Sequence, residues 1–566
     1  MLVRPGRVLV RDEWPGTTKH PIERLLPYRA APDVLLAATN HTIIKAADGT
    51  VLASGFGSDD WQETMFSDLS QTKRLVMVNG VDGVWSYDGG STIAPGIINL
   101  SKIDATNPAQ LTPTTPADVS KFHVGGTVSI AGATGSVAAA NGLHTIVAVG
   151  APAGTFSIDV NLTGATAQTS GPMSATPYGS IQKEPITAPA NAPWCNPQNF
   201  HVVIHHLNRL YFADPFALAV YYLPLQQKSG TLKQLPLNPV FKHGGAIAAF
   251  GSWTLDGGNG MDDKLVVFST NGEAAIFTGI DPEDTGWNLI GVFQHDHPMS
   301  KHCIANYGGD LWVLTSTGLV PMSTLIRAET EKLNKAEKGV ITFFREFSLR
   351  YPNAVGWSLQ FDHSTGRMLC NMPLGSSGGY QQMVRFMPDP VWAKWKDHPS
   401  RCWAWMGDKL YFGTDDGKIF EVNDLYTSDS DGVIPLAITA EVRMAWSLYK
   451  TAGLKHFKLV RVYGQTNGLP VRPYVDMAVN FLDRRPTNQP EVVQPAPPTM
   501  WSHGASGTST FTKWGSPWSR GRQPMIGWNG VGRLGNSGAP HVLVAVKGAS
   551  YELAGFDVVY EPGIVV

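Results

Sequence analysis

The sequence of 566 residues predicts an all-β protein, and three observations support this prediction. Two short apolar runs separated by a tight turn recur seven times along the chain. Glycine and proline, which turn and terminate strands, number 59 and 40, whereas charged residues make up only 16% of the chain. The β pattern is broken by helical patterning of charged and apolar residues in just one segment, 324–352.

The repeated unit is a strand, a turn and a second strand. A clear copy is "DKLVVFSTNGEAAIFTG" (263–279), and the other copies lie at 33–49, 73–89, 208–224, 308–323, 366–386 and 408–422. Intervals between equivalent apolar residues are 40, 135, 55, 46, 57 and 42, measured from Leu35, Leu75, Leu210, Leu265, Leu311, Met368 and Leu410. Periods of about 40–50 residues are typical of β-propeller blades. The sequence therefore predicts a propeller of six or seven blades over 31–103 and 179–430; the alternative is ordinary hairpins in a sandwich.

The long interval of 135 residues indicates an insertion. Between about 104 and 178 the composition shifts to Ala, Gly, Thr, Ser and Pro, yet β-rich runs persist between Gly-rich turns. Such runs are unlike a disordered linker. We therefore expect a small β domain, a barrel or a sandwich, inserted in a blade loop at 104–178.

The two ends of the chain differ from the repeats. Residues 1–30 are predicted to form an N-terminal arm that joins the C-terminal domain, and 431–566 a C-terminal antiparallel β-sandwich or platform domain with longer alternating strands. A Pro- and Trp-rich loop at 484–524 carries Trp501, Trp514 and Trp518. These tryptophans either form a surface that a partner covers or fold back onto their own domain.

The exception to the β pattern, 324–352, predicts a helix of about ten to fifteen residues on or beside a blade. Its apolar stripe is Ile326, Leu333 and Ala336, and its charges are mixed in sign. Mixed charges indicate a solvated face rather than a nucleic-acid contact.

Charge and cysteine content exclude several classes of protein. Net charge is −2 and the pI is near 6.8, so the whole chain lacks the basic footprint of a nucleic-acid-binding protein. We expect no signal peptide and no membrane-spanning segment, because arginines interrupt the apolar runs at the start and no uncharged run reaches about 18 residues. Cys195, Cys303, Cys370 and Cys402 are widely spaced and are expected to be free thiols made in a reducing cytosol.

Histidines suggest a metal site only weakly. His295, His297, His302 and Cys303 lie close together in "FQHDHPMSKHC", but no second ligand pair follows at zinc-site spacing. His205 and His206 are adjacent on a strand and therefore face opposite ways. We interpret both groups as structural and predict no metal or cofactor.

Paired carboxylates near arginines would indicate a glycosidase or sialidase propeller. The candidate pairs are Asp59 and Asp60, Asp262 and Asp263, and Asp415 and Asp416. Two of these pairs lie at or in the repeated hairpins, where Asp caps the backbone, and the repeating sialidase turn is missing from the sequence. We therefore predict that the chain is not an enzyme, and no catalytic residue is assigned.

The order of motifs from 308 to 424 resembles that of a known family. The stretches "GGDLWVLTSTGLVPMS", "YPNAVGWSLQFDHSTGRMLCNMPL", "YQQMVRFMPDPVWAKW" and "CWAWMGDKLYFGTDDGKIFEVND" occur in the order found in tail nozzle (tail tubular or hub) proteins of short-tailed bacteriophages. The closing "FDVVYEPGIVV" is similar to the C-terminal strand of that family. The resemblance covers about 300–430 and, less closely, the C-terminal domain.

This resemblance implies a structural virion protein of the phage tail, synthesised in the host cytoplasm and lacking catalysis. Members of the family form a homo-oligomeric ring, most often a hexamer, below the head–tail adaptor. They carry tailspikes or fibres and enclose a channel through which packaged DNA passes without sequence-specific binding. The alternative is a propeller that binds receptors or hydrolyses glycans as a tail protein.

Overall fold

A computed structural model describes residues 4–12, 19–90, 97–122, 127–177, 180–256, 261–326, 330–352, 354–375, 379–387, 391–423, 428–430, 435–467, 471–482 and 523–563. The all-β prediction is confirmed, because strands account for 53% of the structure and helices for 6%. The chain divides into a large unit, residues 10–419, and a small unit, residues 1–9 with 420–566. The first strand of the chain is β1 (Gly6–Arg11).

Two antiparallel sheets open the large unit. Val, Ile and Leu alternate or cluster in their strands, which end at turns rich in Gly, Asn and Asp. The first strand of sheet 1 begins at Arg24, seven residues before the predicted start of the propeller at 31, because the apolar run Leu25–Leu26 pairs with the strand that follows it in the chain. Sheet 1 comprises β2 (Arg24–Tyr28), β3 (Val34–Thr39), β4 (Thr42–Lys45) and β5 (Val51–Ser54); sheet 2 begins with β6 (Gln62–Ser67), β7 (Lys73–Val78) and β8 (Val84–Tyr87).

A closed six-stranded barrel interrupts sheet 2. Its own apolar side chains fill its interior, including Leu111, Phe156 and Ile158, each 0–1% exposed. The barrel begins at Ile98, before the predicted boundary at 104. Its strands are β9 (Ile98–Ile103), β10 (Ala109–Pro113), β11 (Thr127–Ala131), β12 (Gly142–Val149), β13 (Phe156–Ile158) and β14 (Met173–Pro177), with 3₁₀ helices at Pro116–Lys121 and Gly135–Ala140.

Sheet 2 is completed after the barrel, and two further four-stranded sheets follow. The strand after the barrel, β15 (Ile181–Lys183), pairs antiparallel with β8. Sheet 3 comprises β17 (Val202–His206), β18 (Arg209–Ala213), β19 (Ala219–Tyr222) and β21 (Lys233–Pro236), beside the short parallel pair β16 (Ile186–Thr187) and β20 (Gly230–Thr231), with a 3₁₀ helix at Pro197–Asn199. Sheet 4 comprises β22 (Ile247–Asp256), β23 (Met261–Ser269), β24 (Glu273–Thr278) and β25 (Asn288–Gln294).

The large unit ends with three more sheets and the helices. Sheet 5 comprises β26 (Ile304–Tyr307), β27 (Asp310–Thr315) and β28 (Gly318–Pro321), followed by α1 (Met322–Ile326) and α2 (Thr330–Arg350). Sheet 6 comprises β29 (Ser358–Asp362), β30 (Arg367–Pro373), β31 (Tyr380–Phe386) and β32 (Val391–Trp395). Sheet 7 begins with the hairpin β33 (Cys402–Met406) and β34 (Lys409–Gly413), and β35 (Ile419–Asn423) follows.

Helix α2 is longer than the sequence predicted. It spans 21 residues instead of ten to fifteen, because a second apolar stripe continues it. Phe344 is 1% exposed, and Val340, Phe343 and Phe347 pack against the same core between sheets 5 and 6. All three residues of the predicted stripe, Ile326, Leu333 and Ala336, lie outside the described side chains.

Neighbouring sheets in the large unit share apolar clusters in chain order. Separate clusters join sheets 1 and 2, 2 and 3, 3 and 4, 4 and 5, and 5 and 6, and another joins sheet 7 to sheet 1. Contacts between the first strands of the sheets follow the same order. From β6, each first strand contacts the next in the series β17, β22, β26, β29 and β33, and β33 contacts β2. The first strands of these successive sheets therefore lie side by side.

The strands of the small unit follow one another along the chain as β36 (Asp429–Ser430), β37 (Pro435–Leu436), β38 (Ile438–Arg443), β39 (Lys455–Thr466), β40 (Tyr474–Val479), β41 (Gln523–Gly535), β42 (Gly538–Val546) and β43 (Tyr551–Pro562). Two three-stranded antiparallel sheets, β38-β42-β40 and β41-β39-β43, share one core in which Phe457, Val542 and Tyr551 are fully buried. Near the start of the chain, β1 pairs in parallel with β36, and buried Arg4 donates to Asp429 at 2.9 Å.

All four cysteines are buried, and none of them forms a disulfide bond. Burial raises the pKa of Cys195 to about 11 and the pKa of Cys303 and Cys402 to about 12. Thiols with such pKa values are poor nucleophiles at neutral pH. Trp501, Trp514 and Trp518 lie outside the described residues.

Candidate functional site

Charged side chains from three sheets meet at the starts of the first strands. We call Arg24, Asp60, Glu63, Lys301 and His302 the convergent cluster. Arg24 begins β2, and Asp60 and Glu63 flank the start of β6. Lys301 and His302 lie three and two residues before the start of β26. The cluster therefore joins sheets 1, 2 and 5, which are far apart in the sequence.

Asp60 is the centre of this cluster. Lys301 Nζ donates to the Asp60 backbone oxygen at 2.7 Å and lies 2.9 Å from Oδ2, while His302 Nε2 lies 2.9 Å from Oδ1. The Lys301 and His302 side chains are only 9% and 11% exposed, whereas Asp60 is 62% exposed. Two nearly buried side chains thus support a carboxylate that still faces solvent.

The pKa values indicate the charge state of each partner. Partial removal from water opposes ionisation of Asp60, but the hydrogen bond from His302 and the charge of Lys301 outweigh it and hold its pKa well below the usual range. Burial, assisted by the charge of Arg24, lowers the pKa of His302 to about 3. A neutral His302 that contacts a carboxylate through Nε2 carries its proton there and donates it. Asp60 is therefore ionised and His302 neutral at pH 7.

Glu63 and Arg24 form a looser pair. Arg24 Nε lies 3.7 Å from Glu63 Oε2, and the side chains are 14% and 16% exposed. Neither atom has a hydrogen-bond partner among the described residues. Burial raises the pKa of Glu63, and the charges of Arg24 and Arg29 oppose that shift only in part. A gap of this size between two buried polar atoms suits a bridging water.

A second polar group surrounds Arg401, just before β33. Its guanidinium donates to Glu23 at 2.7 and 2.8 Å and to Asp415 at 2.8 Å, and the Tyr380 hydroxyl donates to Asp415 at 2.9 Å. Burial raises the pKa of Glu23, and Arg401 reduces the shift. One arginine therefore ties the loop before sheet 1 to sheets 6 and 7.

These groups are suited to holding sheets together rather than to catalysis. Asp60, Glu23 and Asp415 are each paired with a cation, and the neutral imidazole of His302 is committed to Asp60. In the described part of the chain, no three His, Cys, Asp or Glu side chains are placed to share a metal ion. Hydrolysis of a glycosidic bond needs two carboxyl groups on either side of a bound substrate.

The structure separates the carboxylate pairs that the sequence singled out. Asp59 is 9% exposed and accepts the His41 backbone N–H at 2.6 Å, whereas Asp60 joins the convergent cluster. Asp415 binds Arg401, while Asp416 lies 3.0 Å from Lys418.

The third pair is only partly described. Asp263 accepts the Thr254 hydroxyl at 2.7 Å, and the side chain of Asp262 lies outside the described set.

The candidate metal ligands are also dispersed. The His295 ring packs edge-on against Phe268, and burial lowers its pKa to about 4. His297 is exposed, and Cys303 is buried within 3.3 Å of the Ser300 hydroxyl.

The adjacent histidines have different neighbours. His205 contacts Phe66 edge-on, and His206 lies 3.1 Å from the Ser252 hydroxyl. These contacts place the pair in the packing between sheets 2, 3 and 4.

Arg24, Glu63, Lys301 and Arg401 are not among the residues that the sequence singles out. Each precedes the register residue of its repeat by nine to twelve positions, outside the predicted hairpin. A charged residue at this offset from the hairpin, near the head of several first strands, is the signal in the sequence that points to them.

Comparisons with known proteins give no family. No protein-family model matches the chain, and no curated protein sequence matches it. Among solved structures, the computationally designed Ika8 protein aligns with a TM-score of 0.33 and 9% identity over 74% of this chain and 99% of its own. The extracellular domain of the putative hybrid two-component system BT3049 from B. thetaiotaomicron aligns with a TM-score of 0.34 and 11% identity. This alignment covers 75% of this chain and 42% of that domain's own chain.

A phage protein is also among the structural matches. The phage phi92 endosialidase aligns with a TM-score of 0.24 and 13% identity, covering 55% of this chain and 52% of its own. Scores of this size do not establish a shared fold. In the described residues, neither helix has the length and apolar character needed to cross a bilayer.

Proposed function

We propose that the large unit is a seven-bladed β-propeller and that the chain is a structural tail nozzle protein of a short-tailed phage. Support for the propeller comes from seven successive sheets whose shared clusters run in chain order and return from sheet 7 to sheet 1. A closed ring buries both faces of each sheet and leaves few open edges.

The observation that carries the nozzle proposal is an exposed apolar surface on the small unit. We call it the outer sheet face: Leu459, Ile526, Trp528, Leu534 and Val559 on β39, β41 and β43. Their side chains are 38–61% exposed. Eleven of the 26 large apolar side chains exposed among the described residues lie in this smaller unit. Such enrichment is typical of a surface that a protein partner covers.

The chemistry of the outer sheet face favours a second copy of this chain as the partner. Its charged residues are paired internally, since Arg461 lies 2.6 Å from Asp557 and Lys458 pairs with Glu561. Arg461 also lies 4.8 Å from the centre of the Trp528 ring. A face without excess charge lets identical copies meet without like-charge repulsion.

In this proposal the chain assembles as a homo-oligomeric ring, most simply a hexamer, below the head–tail adaptor of a virion. The ring carries spikes or fibres and encloses a channel for packaged DNA. A net charge of −2 suits that role, because a strongly basic lining would hold the phosphates of DNA. The motif order from 308 to 424 adds to this support.

Native mass spectrometry and negative-stain electron microscopy of the full-length chain test the proposal, alone and co-expressed with its adaptor. Rings of about six copies are expected in at least one sample. Trp528→Glu should shift the population towards monomer, whereas Leu349→Glu, at a residue 76% exposed on α2, should not. Monomer in both samples, or equal assembly by the two variants, would contradict the proposal.

The alternative is a receptor-binding or glycan-hydrolysing tail protein. Acidic side chains at the first-strand ends favour it, because propeller enzymes use such positions. Their pairing with Lys301 and Arg401 disfavours it. Release of reducing sugar from host-surface glycans by the purified monomer would support this alternative.

A further inference from the structure

A polar cleft of about 300 Å³ lies where the inserted barrel meets sheet 2. The barrel side is formed by β12 and the residues after β13. The other side is formed by the turn before β8, by β15 with the residues that follow it, and by the 3₁₀ helix at Pro197–Asn199. Small-molecule sites occur preferentially at such junctions between separately packed parts of a chain.

On the barrel side, a histidine and a carboxylate line the cleft. His144 Nδ1 lies 3.3 Å from Asp159 Oδ1, which also accepts the Thr145 backbone N–H at 3.1 Å. Burial opposes ionisation of Asp159, but the bonds from His144 and Thr145 outweigh it and lower its pKa. Because the Asp159 side chain remains 43% exposed, an ionised acceptor faces the cleft in a fixed orientation.

On the sheet side, a lysine and an amide line the cleft. Lys183 Nζ donates to Gln198 Oε1 at 3.0 Å, which leaves the Gln198 NH₂ group to donate. Burial lowers the pKa of Lys183, and the charge of Asp82 counters part of that shift. Donors on this side therefore face an acceptor on the barrel side.

The cleft has little net charge. Glu184 also lines it, but Lys228 neutralises that nearly buried carboxylate at 2.7 Å. Asp159 and Lys183 then balance one another. Pro185, Ile186 and Pro197 add apolar surface between the polar groups. Such a lining does not suit a phosphate or a nucleotide, which needs excess positive charge, and it is too polar for a lipid chain.

We propose that this cleft binds a neutral carbohydrate of one or two sugar rings. Sugar hydroxyls both donate and accept, so they match a wall that accepts through Asp159 and a wall that donates through Lys183 and Gln198. The proline and isoleucine side chains pack against the C–H face of the ring. A volume of about 300 Å³ is at the lower end of the range for ligand pockets and fits one or two rings. This inference does not depend on the ring assembly.

Saturation-transfer-difference NMR on the full-length chain tests the inference. The probes are glucose, galactose, N-acetylglucosamine and maltose, with inorganic phosphate as an anionic competitor. Saturation transfer to at least one sugar is expected, with no displacement by phosphate. Asp159→Ala and Lys183→Met should each weaken binding by about tenfold or more, the effect of losing one hydrogen bond to a charged group.

Lys102→Met is the matched control, since Lys102 lies on the barrel, pairs with Asp104 and does not line the cleft. It should leave sugar binding unchanged. If Lys183→Met fails to fold, the more exposed Asp159→Ala decides the result. Absence of saturation transfer to all four sugars, displacement by phosphate, or unchanged affinity in Asp159→Ala would overturn the inference.

Discussion

Asp60 and His302 are 242 positions apart in the chain, yet Asp60 Oδ1 lies 2.9 Å from His302 Nε2. Asp60 precedes the first strand of sheet 2, and His302 precedes that of sheet 5. In the proposed seven-bladed ring, sheets 2 and 5 would lie on opposite sides of the axis. The contact would then bridge the end of the central channel where the first strands begin, and the propeller itself would not conduct DNA.

Asp60→Asn should destabilise the large unit by about 1–2 kcal/mol, because Lys301 loses its counter-charge while remaining nearly buried. Because Asp60 is exposed, the expected loss of unfolding free energy is smaller than for a fully buried ion pair. Urea unfolding followed by circular dichroism measures it. Glu346→Gln is the control, since Glu346 and Arg350 are more than half exposed, and it should cost less than about 0.5 kcal/mol. Equal costs would show that the Asp60 contact adds nothing to stability.

Stability should fall as the pH drops below about 6.5, the ordinary histidine pKa. Burial lowers the pKa of His201, His206 and His295 to about 4 and that of His302 to about 3. Between those values and about 6.5 the unfolded chain binds more protons than the folded chain, so acid favours unfolding. The stability that these neutral histidines contribute is fully present above pH 6.5 and is lost as the pH falls towards 4.

Comparing His206→Gln with the wild type measures how much this one histidine contributes to the pH dependence of stability. Buried carboxyl groups have the opposite pH dependence, but they are present in both proteins and therefore cancel. The loss of unfolding free energy with falling pH should become shallower by up to about 1.4 kcal/mol per pH unit. Urea titrations from pH 7.5 to 4.5 measure it. His297→Gln, at an exposed residue, should keep the wild-type slope. Parallel slopes for His206→Gln and the wild type would contradict this assignment.

Sheets 6 and 7 are joined by a polar network. Asn371 is fully buried, donates to the Gly356 and Ser400 backbone oxygens at 2.8 and 3.0 Å, and accepts from Gln382 at 2.9 Å and Trp403 at 3.3 Å. Asn371→Leu keeps the number and branching of the side-chain heavy atoms but removes these four hydrogen bonds. We expect a loss of about 2–4 kcal/mol in urea unfolding.

The control for this substitution is Asn306→Leu. Asn306 is exposed and donates only to the Ser252 backbone oxygen among the described contacts, at 3.1 Å. It should cost about 1 kcal/mol or less. If Asn371→Leu were neutral, the network would not be what holds these two sheets together.

Strands were easier to predict from the sequence than contacts between sheets. Apolar runs ending in Gly-containing turns are local signals, and each of the seven predicted hairpins falls on two consecutive strands. The pairing of Asp60 with Lys301 depends on how distant sheets pack, which no local pattern encodes. Helix α2 was underestimated because Phe343, Phe344 and Phe347 resemble a strand by composition. The cleft was missed because its two sides lie on separately packed parts.

The inserted barrel should fold without the rest of the chain. All its buried core residues come from 98–175, with Phe122 and Phe156 stacked 3.9 Å apart at its centre. Its first and last strands pair with each other, with Ile98 opposite Ala175. The two ends of the insertion therefore lie side by side, as expected of a domain that a host loop tolerates.

Residues 97–177 expressed alone should give a dispersed amide NMR spectrum and one cooperative thermal transition, because about 80 residues with a closed core suffice for an independent domain. Conversely, replacing 91–179 with a short glycine-containing turn should leave a folded β protein, since Tyr87 and Ile181 already pair across the junction. Circular dichroism and Trp fluorescence of this deletion variant check the host. A collapsed spectrum for the fragment together with an aggregated deletion variant would mean that barrel and host depend on each other for folding, and that the barrel is part of the core of the large unit instead of an insertion into it.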